Sequence, residues 1–199
     1  FVAAIIAALT LHPFLFLGLF AVVVGAAVLS GVEPVLPVHL KASSLTVGLL
    51  FGLAVLASIT ANPIVGRFVA AVSPRLFVGS GVVAAATALV VIGAADEMWQ
   101  TSAGMVLLGA SSALLLTPST TLISQQGSRS VPPTLGGSFA LYNLAYAGGL
   151  AGGPLLTGFA VQRAGFAAAM GVAATVLAGL GIVAVARLPR SLREPADLA

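Results

Sequence analysis

The sequence lacks cysteine altogether and is poor in charged residues. Its 199 residues contain no cysteine, two histidines and only 7% charged residues, against 59% hydrophobic residues. Without cysteine the chain has neither disulfide bonds nor a thiolate metal site, and two histidines alone are too few for a multi-ligand metal centre. We therefore predict no bound metal and no cofactor.

The scarcity of charge also excludes an ordinary soluble domain. Mean hydropathy is +1.16, whereas soluble domains are roughly 45 to 50% apolar and about 25% charged. Eight basic residues outweigh five acidic ones, and these arginines are dispersed beside apolar runs. That pattern suits orientation in a lipid bilayer and disfavours nucleic-acid binding. The chain is predicted to be an integral membrane protein.

Six apolar runs follow one another along the chain, separated by short polar or proline-rich breaks. They predict an all-α membrane protein of six transmembrane helices, because about 20 helical residues cross the hydrocarbon core of a bilayer. The runs cover residues 14–38, 45–65, 76–95, 102–123, 136–161 and 164–186. We expect one domain over 14–187, a cytoplasmic tail over 188–199, and an apolar lead-in over 1–13 that is too short to span. The lead-in suggests the end of a preceding segment or linker.

The distribution of basic residues predicts how the helices are oriented. Short loops rich in Lys and Arg stay cytoplasmic. If the first run starts inside, the outer loops hold only Lys41 and Arg163. The inner segments then hold six arginines, namely Arg67, Arg75, Arg129, Arg187, Arg190 and Arg193. This count of basic residues favours a cytoplasmic location for both ends of the chain. We expect the protein to lie in the cell membrane.

Glu33 is the only acidic residue inside an apolar run. Ionisable groups within a membrane span are costly and usually face a polar cavity or an ion path. Pro34 and Pro37 follow it, and they are expected to kink or end the first helix near one membrane face. The alternative places the carboxylate in water at the membrane interface. We predict a substrate- or proton-binding role for Glu33.

Other polar groups concentrate in the first, second, fourth and fifth runs, which are predicted to line a cavity, while the third and sixth lie outside. Asn62 and Asn143 are candidate hydrogen-bonding groups. Tyr142 and Tyr146, four residues apart on one helical face, could offer aromatic faces to a cation. The tyrosines could instead pack, Asn62 could satisfy backbone groups freed by Pro63, and hydroxyls of the fourth run could bond their own helix.

Three stretches resemble motifs of a known family. Val32-Glu33-Pro34-Val35-Leu36-Pro37 resembles its seventh-helix Leu-Glu-Pro-x-Leu-Pro motif. The segment from Gly66-Arg67 to Arg75 resembles its loop motif between the second and third helices, which recurs between the eighth and ninth, although Ala70 replaces the acid and Ala71 a basic residue. Gly149-x-x-x-Gly153-Pro154-x-x-Thr157-Gly158 is similar to its antiporter motif, with Thr157 for one glycine.

The chain thus resembles the C-terminal six-helix half of a major facilitator superfamily transporter. It is most similar to the drug:proton antiporters that include the vesicular amine transporters. The resemblance implies two inverted three-helix repeats and alternating access, with proton entry driving export of small organic, often cationic or amphiphilic, compounds. It also implies an N-terminal six-helix half, in the same full-length chain or in a partner chain.

The resemblance and the glycine and proline pattern together assign two groups of residues. Substrate or proton binding is predicted for Glu33, Asn62, Tyr142, Asn143 and Tyr146. Helix packing or conformational change is predicted for Pro34, Pro37, Gly66, Arg67, Gly149, Gly153, Pro154 and Gly158. Independently of the family, a carboxylate in a low-dielectric cavity can be neutralised by a proton or by a cation, and that competition would produce exchange.

Other functions are weighed against export. The chain could be a half-length or non-transporting membrane subunit that needs a partner half, or a transporter of sugars or metabolites. An intramembrane enzyme is disfavoured. Gly109-Ala110-Ser111-Ser112 superficially resembles a serine protease site, but no glycine follows the serine and neither histidine lies on a late run to act as base.

Overall fold

The computed structural model describes residues 13–69, 71–129 and 135–186, and within these ranges the chain is helical with no strand. Six helices are long and apolar enough to cross a membrane, which confirms the all-α membrane fold. They are α1 (Pro13–Leu40), α2 (Ser44–Phe68), α3 (Pro74–Gly93), α4 (Met98–Arg129), α5 (Leu135–Ala164) and α6 (Phe166–Ala186). The predicted lead-in up to residue 12, the tail, and the tail arginines used for orientation lie outside the described residues.

The helices differ from the apolar runs mainly at their ends. Pro34 and Pro37 do not end α1, which continues to Leu40. The fourth helix begins at Met98, four residues before the predicted run, so Trp99 lies in its first turn. Hydropathy identifies only the part of a helix that lies in lipid. Backbone hydrogen bonds extend the helix beyond that part, through the polar residues at its ends.

Local hydrogen bonds fix where several helices begin and end. The Thr46 backbone N–H donates to Ser43 Oγ at 3.2 Å and caps the start of α2. Gln100 Oε1 accepts from the backbone N–H groups of Asp96 and Glu97, at 2.8 and 3.0 Å, before α4. A single residue, Gly165 with φ +80°, joins α5 to α6. Positive φ strains other residues, so glycine suits this link.

The first helix forms the centre of the packing. It lies against α5 and α4 and more lightly against α6 and α3, and its Leu17, Val32 and Leu36 side chains are buried in the main core. The α1·α5 pair is parallel, because Gly149 meets Ala26 while Gly153, further along, meets Ser30. The α2·α4 pair is also parallel, since Gly109 meets Ala54 and Ser112 meets Ser58.

The second and fifth helices are the least buried in the bundle. The sequence placed the third and sixth helices outermost, yet α3 packs along both α4 and α6 and is more buried than α2 or α5. The reason is geometric: α2 packs extensively only against α4, and most of its remaining surface is open. Large apolar side chains therefore stand exposed on α2 and α5, among them Leu49, Leu56, Leu155 and Phe159.

Candidate functional site

Glu33 lies on an exposed surface of α1. Leu15 precedes it by 18 residues, about five helical turns, so the two side chains project from the same face. Leu15 and Val22 pack on that face with Ile123 of α4 and with the α5 tyrosines. Glu33 therefore points to the side where α4 and α5 flank α1. Within the described ranges its carboxylate has no hydrogen bond and no ion pair.

The two tyrosines form an aromatic row on α5. The Tyr142 and Tyr146 rings stack with centroids 6.2 Å apart and planes 6° apart, and Phe139 meets Tyr142 edge-on at 6.4 Å. Both tyrosines are half-buried against the α1 face that carries Val22. Glu33 is 11 residues beyond Val22, so the acid lies roughly 16 Å further along the axis. The tyrosines and the acid are thus at different depths of one face.

Asn62 is held by the fourth helix. The Thr117 hydroxyl donates to Asn62 Oδ1 at 2.7 Å, and Ser112 Oγ donates to Ser58 Oγ at 3.3 Å one turn away. Asn62 is exposed and Thr117 is half-buried. Asn143 is also exposed, but in the described part of the chain it contacts neither Asn62 nor any other hydrogen-bonding partner.

Most hydroxyls of the fourth helix bond their own backbone, as the alternative interpretation predicted. Ser111 donates to the Leu108 carbonyl at 2.7 Å, and Thr120 donates to the Thr117 carbonyl at 2.8 Å. Two hydroxyls cross to α2: Thr117 donates to Asn62, and Ser112 donates to Ser58 as well as to the Gly109 carbonyl of its own helix. Asn62 and Thr117 each directly precede a proline within a helix.

Two of the predicted packing glycines lie where helices touch. A Cβ added at Gly149 would be 2.5 Å from the Val23 carbonyl oxygen, and one at Gly153 would meet the Ala27 carbonyl oxygen. The Ser30 hydroxyl donates to the Gly149 carbonyl at 3.4 Å across this contact. Gly66 and Gly158 differ, since no atom of the described chain lies within 4 Å of an added Cβ at either position.

The loop-motif residues stand near the end of α2. Arg67 is exposed in its last turn, and it has no ion pair within the described ranges. Arg75 is half-buried in the first turn of α3, and its Nε has no hydrogen-bond partner there. Pro154 is half-buried inside α5.

No cluster of three or more His, Cys, Asp or Glu side chains exists among the described residues. His39 instead stacks on Phe166 with centroids 3.9 Å apart and planes 9° apart, at the end of α1 that faces the start of α6. This contact ties the two helices together at one end of the bundle. The described residues therefore offer no set of side chains that would hold a metal.

The candidate residues lie at two depths of the bundle. Gly25 of α1 is level with Leu116, since an added Cβ would be 3.3 Å from its Cδ2, so Thr117 and Asn62 lie near that level. Glu33 is eight residues further along α1, about 12 Å along the axis. A six-helix bundle with a lone acid at one depth and amide and phenol groups at another suits binding of a small organic molecule.

A comparison with protein families bears directly on this bundle. The family model described as Major Facilitator Superfamily matches residues 15–198. The chain belongs to the Major Facilitator Superfamily. It is therefore an integral membrane transporter that acts on a small-molecule substrate, and its six helices form one half of a superfamily bundle. A search of curated proteins finds no match.

Proposed function

We propose that this superfamily member is a secondary active transporter that exports small organic compounds, often cationic or amphiphilic, in exchange for protons. It would reside in the cell membrane with both ends cytoplasmic. The observation that carries the proposal is Glu33, the only acidic residue within the described transmembrane helices, which stands on the exposed α1 face without a cationic partner. Its surrounding sequence also resembles the drug:proton antiporter motif.

Exchange follows from competition for one carboxylate. An ionised carboxylate in a membrane protein is stabilised by a proton or by a nearby cation, and the two exclude each other. A proton that arrives from one side releases the organic cation, and a cation that arrives from the other side releases the proton. Alternating access couples the two events because only one side is open at a time.

The backbone beside Glu33 is suited to movement. Proline has no N–H, so Pro34 leaves the Ser30 carbonyl, and Pro37 the Glu33 carbonyl, without their usual donors in the helix. Prolines at such positions are where helices bend. The end of α1 beyond Glu33 can therefore tilt at small cost, which would change the side from which the carboxylate is reached.

The open faces of α2 and α5 support a second six-helix half as the partner of this one, in the same protein or in another chain. Both helices expose many large apolar residues, and their exposed surfaces flank the side on which Glu33 lies. A closed translocation path requires walls on all sides, and the six helices described here supply only part of them. The tyrosine row would then form the part of the pocket that receives the apolar end of the compound.

Replacing the acid tests the proposal. We expect Glu33→Gln to lower pH-gradient-driven efflux of tetraphenylphosphonium from proteoliposomes at least tenfold, because the amide neither carries charge nor titrates. Glu97→Gln is the matched control, since Glu97 is an exposed acid in the loop before α4. Reconstitution of the full-length protein is required.

The outcome is clear in either direction. Loss of efflux in Glu33→Gln together with normal efflux in Glu97→Gln supports coupling through Glu33. Unchanged proton-driven efflux in the Glu33→Gln protein overturns the coupling role, although the chain remains a superfamily transporter. Equal loss in both variants points to a general effect of charge and equally contradicts the specific role of Glu33.

A further inference from the structure

The orientation of the Asn62 side chain is fixed by a hydroxyl on another helix. Thr117 Oγ1 donates to Asn62 Oδ1 at 2.7 Å, and the neighbouring Ser58–Ser112 bond joins the same two helices. The amide oxygen is thereby engaged and directed toward α4. The amide nitrogen, on the other branch of the same planar group, must point away from Thr117.

The two amide hydrogens remain available. Among the described residues, Asn62 has no other hydrogen bond, and its side chain is exposed. Because Pro63 has no N–H, the Ile59 carbonyl lacks its usual donor, and the Asn62 amide could have turned back to it. It bonds Thr117 instead. Unpaired N–H donors are costly against hydrocarbon, so these hydrogens need water or a ligand.

We propose that Asn62 donates a hydrogen bond to a carbonyl or ether oxygen of the transported compound, with Thr117 as its positioning residue. This rests on the proposed export of small organic compounds, and within that class it concerns the cations that also carry an acceptor oxygen. Glu33 lies about 12 Å from this level along the bundle axis. The positive charge and the acceptor oxygen of the compound are therefore bound at separate depths of the bundle.

Two organic cations distinguish this role from a structural one. Rhodamine 6G carries an ester carbonyl, whereas tetraphenylphosphonium has no acceptor oxygen. The full-length protein would be reconstituted with a pH gradient, and KM and maximal rate would be measured for each cation. The variants are Asn62→Leu, Thr117→Val and Thr117→Ser, with Thr87→Val as control, because the Thr87 hydroxyl bonds only its own helix, at Val83.

A selective change in KM is expected. Asn62→Leu should raise the KM for rhodamine 6G roughly five- to tenfold while the KM for tetraphenylphosphonium changes less than about twofold, as for loss of one hydrogen bond to substrate. Thr117→Val should show a smaller rise with the same selectivity. Thr117→Ser keeps the hydroxyl and should restore parental values, and Thr87→Val should match the parent for both cations.

Three results would overturn the inference. Parallel changes for both cations would assign Asn62 and Thr117 to helix packing, and no change for either cation would remove them from the pocket. In both cases the parent still transports, so the proposed function stands. Transport of neither cation by the parent protein refutes the proposed function itself, and the inference with it. Should Asn62→Leu fail to fold, the Thr117→Val and Thr117→Ser pair decides the question.

Discussion

Gly153 and Gly152 are neighbours on α5 with opposite surroundings. A Cβ at Gly153 would meet the Ala27 backbone and stand 2.6 Å from Ser30 Oγ, whereas at Gly152 nothing of the described chain lies within 4 Å. Small residues at membrane helix contacts allow backbones to approach closely. One residue of the pair is therefore fixed by its neighbour helix and the other is free to vary.

Alanine substitutions should separate the two glycines. Gly153→Ala should destabilise the protein by about 1 to 3 kcal/mol, because the added methyl group forces α1 and α5 apart. Gly152→Ala should be neutral, or slightly stabilising through helix propensity. Thermal unfolding in detergent, followed by loss of the monodisperse peak in size-exclusion chromatography, measures the difference. A Gly153→Ala protein as stable as the Gly152→Ala protein would contradict the close contact.

At this scale the spacing of small residues indicates residue type but not register. The choice of Gly149 and Gly153 in the sequence analysis comes from the motif resemblance. Gly148-x-x-x-Gly152 and Gly149-x-x-x-Gly153 are equally good small-residue motifs. Only the second faces α1, because the choice depends on how α5 is rotated about its own axis. Nothing local to the fifth run determines that rotation, since both of the adjacent faces are apolar.

At the scale of helices, α2 and α4 form a parallel pair joined by hydroxyl groups. Ser58 and Ser112 place their Oγ atoms 3.3 Å apart, and Asn62 and Thr117 meet about one turn further on. Such polar contacts in membrane helices typically add about 0.6 kcal/mol each. Their larger effect is to fix the register of the two helices.

A disulfide should report this register, since the natural chain contains no cysteine. We expect Ser58→Cys with Ser112→Cys to form a disulfide on mild oxidation, because the Oγ atoms that the two sulfur atoms would replace lie 3.3 Å apart and a disulfide needs two side chains that point toward each other. A protease site placed in the loop at Asp96 would leave two fragments that separate only after reduction. The measurement is gel electrophoresis with and without reductant.

The control for this cross-link comes from the same helix. Thr60 is two residues from Ser58, and its hydroxyl bonds the Leu56 carbonyl of its own helix at 3.0 Å. The Thr60→Cys and Ser112→Cys pair should therefore not cross-link. Efficient cross-linking of that pair, or none of the Ser58→Cys and Ser112→Cys pair, would mean that α2 is rotated from the orientation described.

The number of helices could be predicted from sequence because the bilayer leaves few options. Backbone N–H and C=O groups in hydrocarbon must form hydrogen bonds within their own segment of chain, so long apolar runs become helices. The pairing of Asn62 with Thr117 could not be predicted in this way. The two residues are far apart in sequence, and their contact depends on the parallel packing of α2 against α4, which no local pattern encodes.

For the whole molecule, orientation in the membrane stays a prediction from the distribution of arginine. We expect Asp96→Cys, in the loop before α4, to react with a membrane-impermeant maleimide in intact cells. Ala71→Cys, in the loop after α2, should react only after permeabilisation. Both positions are exposed in the structure, so a difference in labelling between them would not be caused by burial. The reverse labelling pattern would invert the proposed orientation and place Glu33 toward the cytoplasm.

The open side of the bundle also explains where whole-molecule expectations from sequence fell short. The polar runs are predicted to line a cavity, and the bare runs are predicted to lie outermost. In this unit α2 packs extensively only against α4, and several large hydrophobic side chains of both α2 and α5 are exposed. The sequence predicts a six-helix half that needs a second half, but it does not show which helices leave their surfaces uncovered.

The one-residue link at Gly165 restricts how this bundle can move. Helices joined by a long loop can slide or tilt independently, but α5 and α6 are connected by a single residue. When α5 tilts, the start of α6 must travel with it, and the ring of Phe166 would then slide off the imidazole of His39. Opening at that end of the protein is therefore expected to move α5 and α6 together, relative to the C-terminal end of α1.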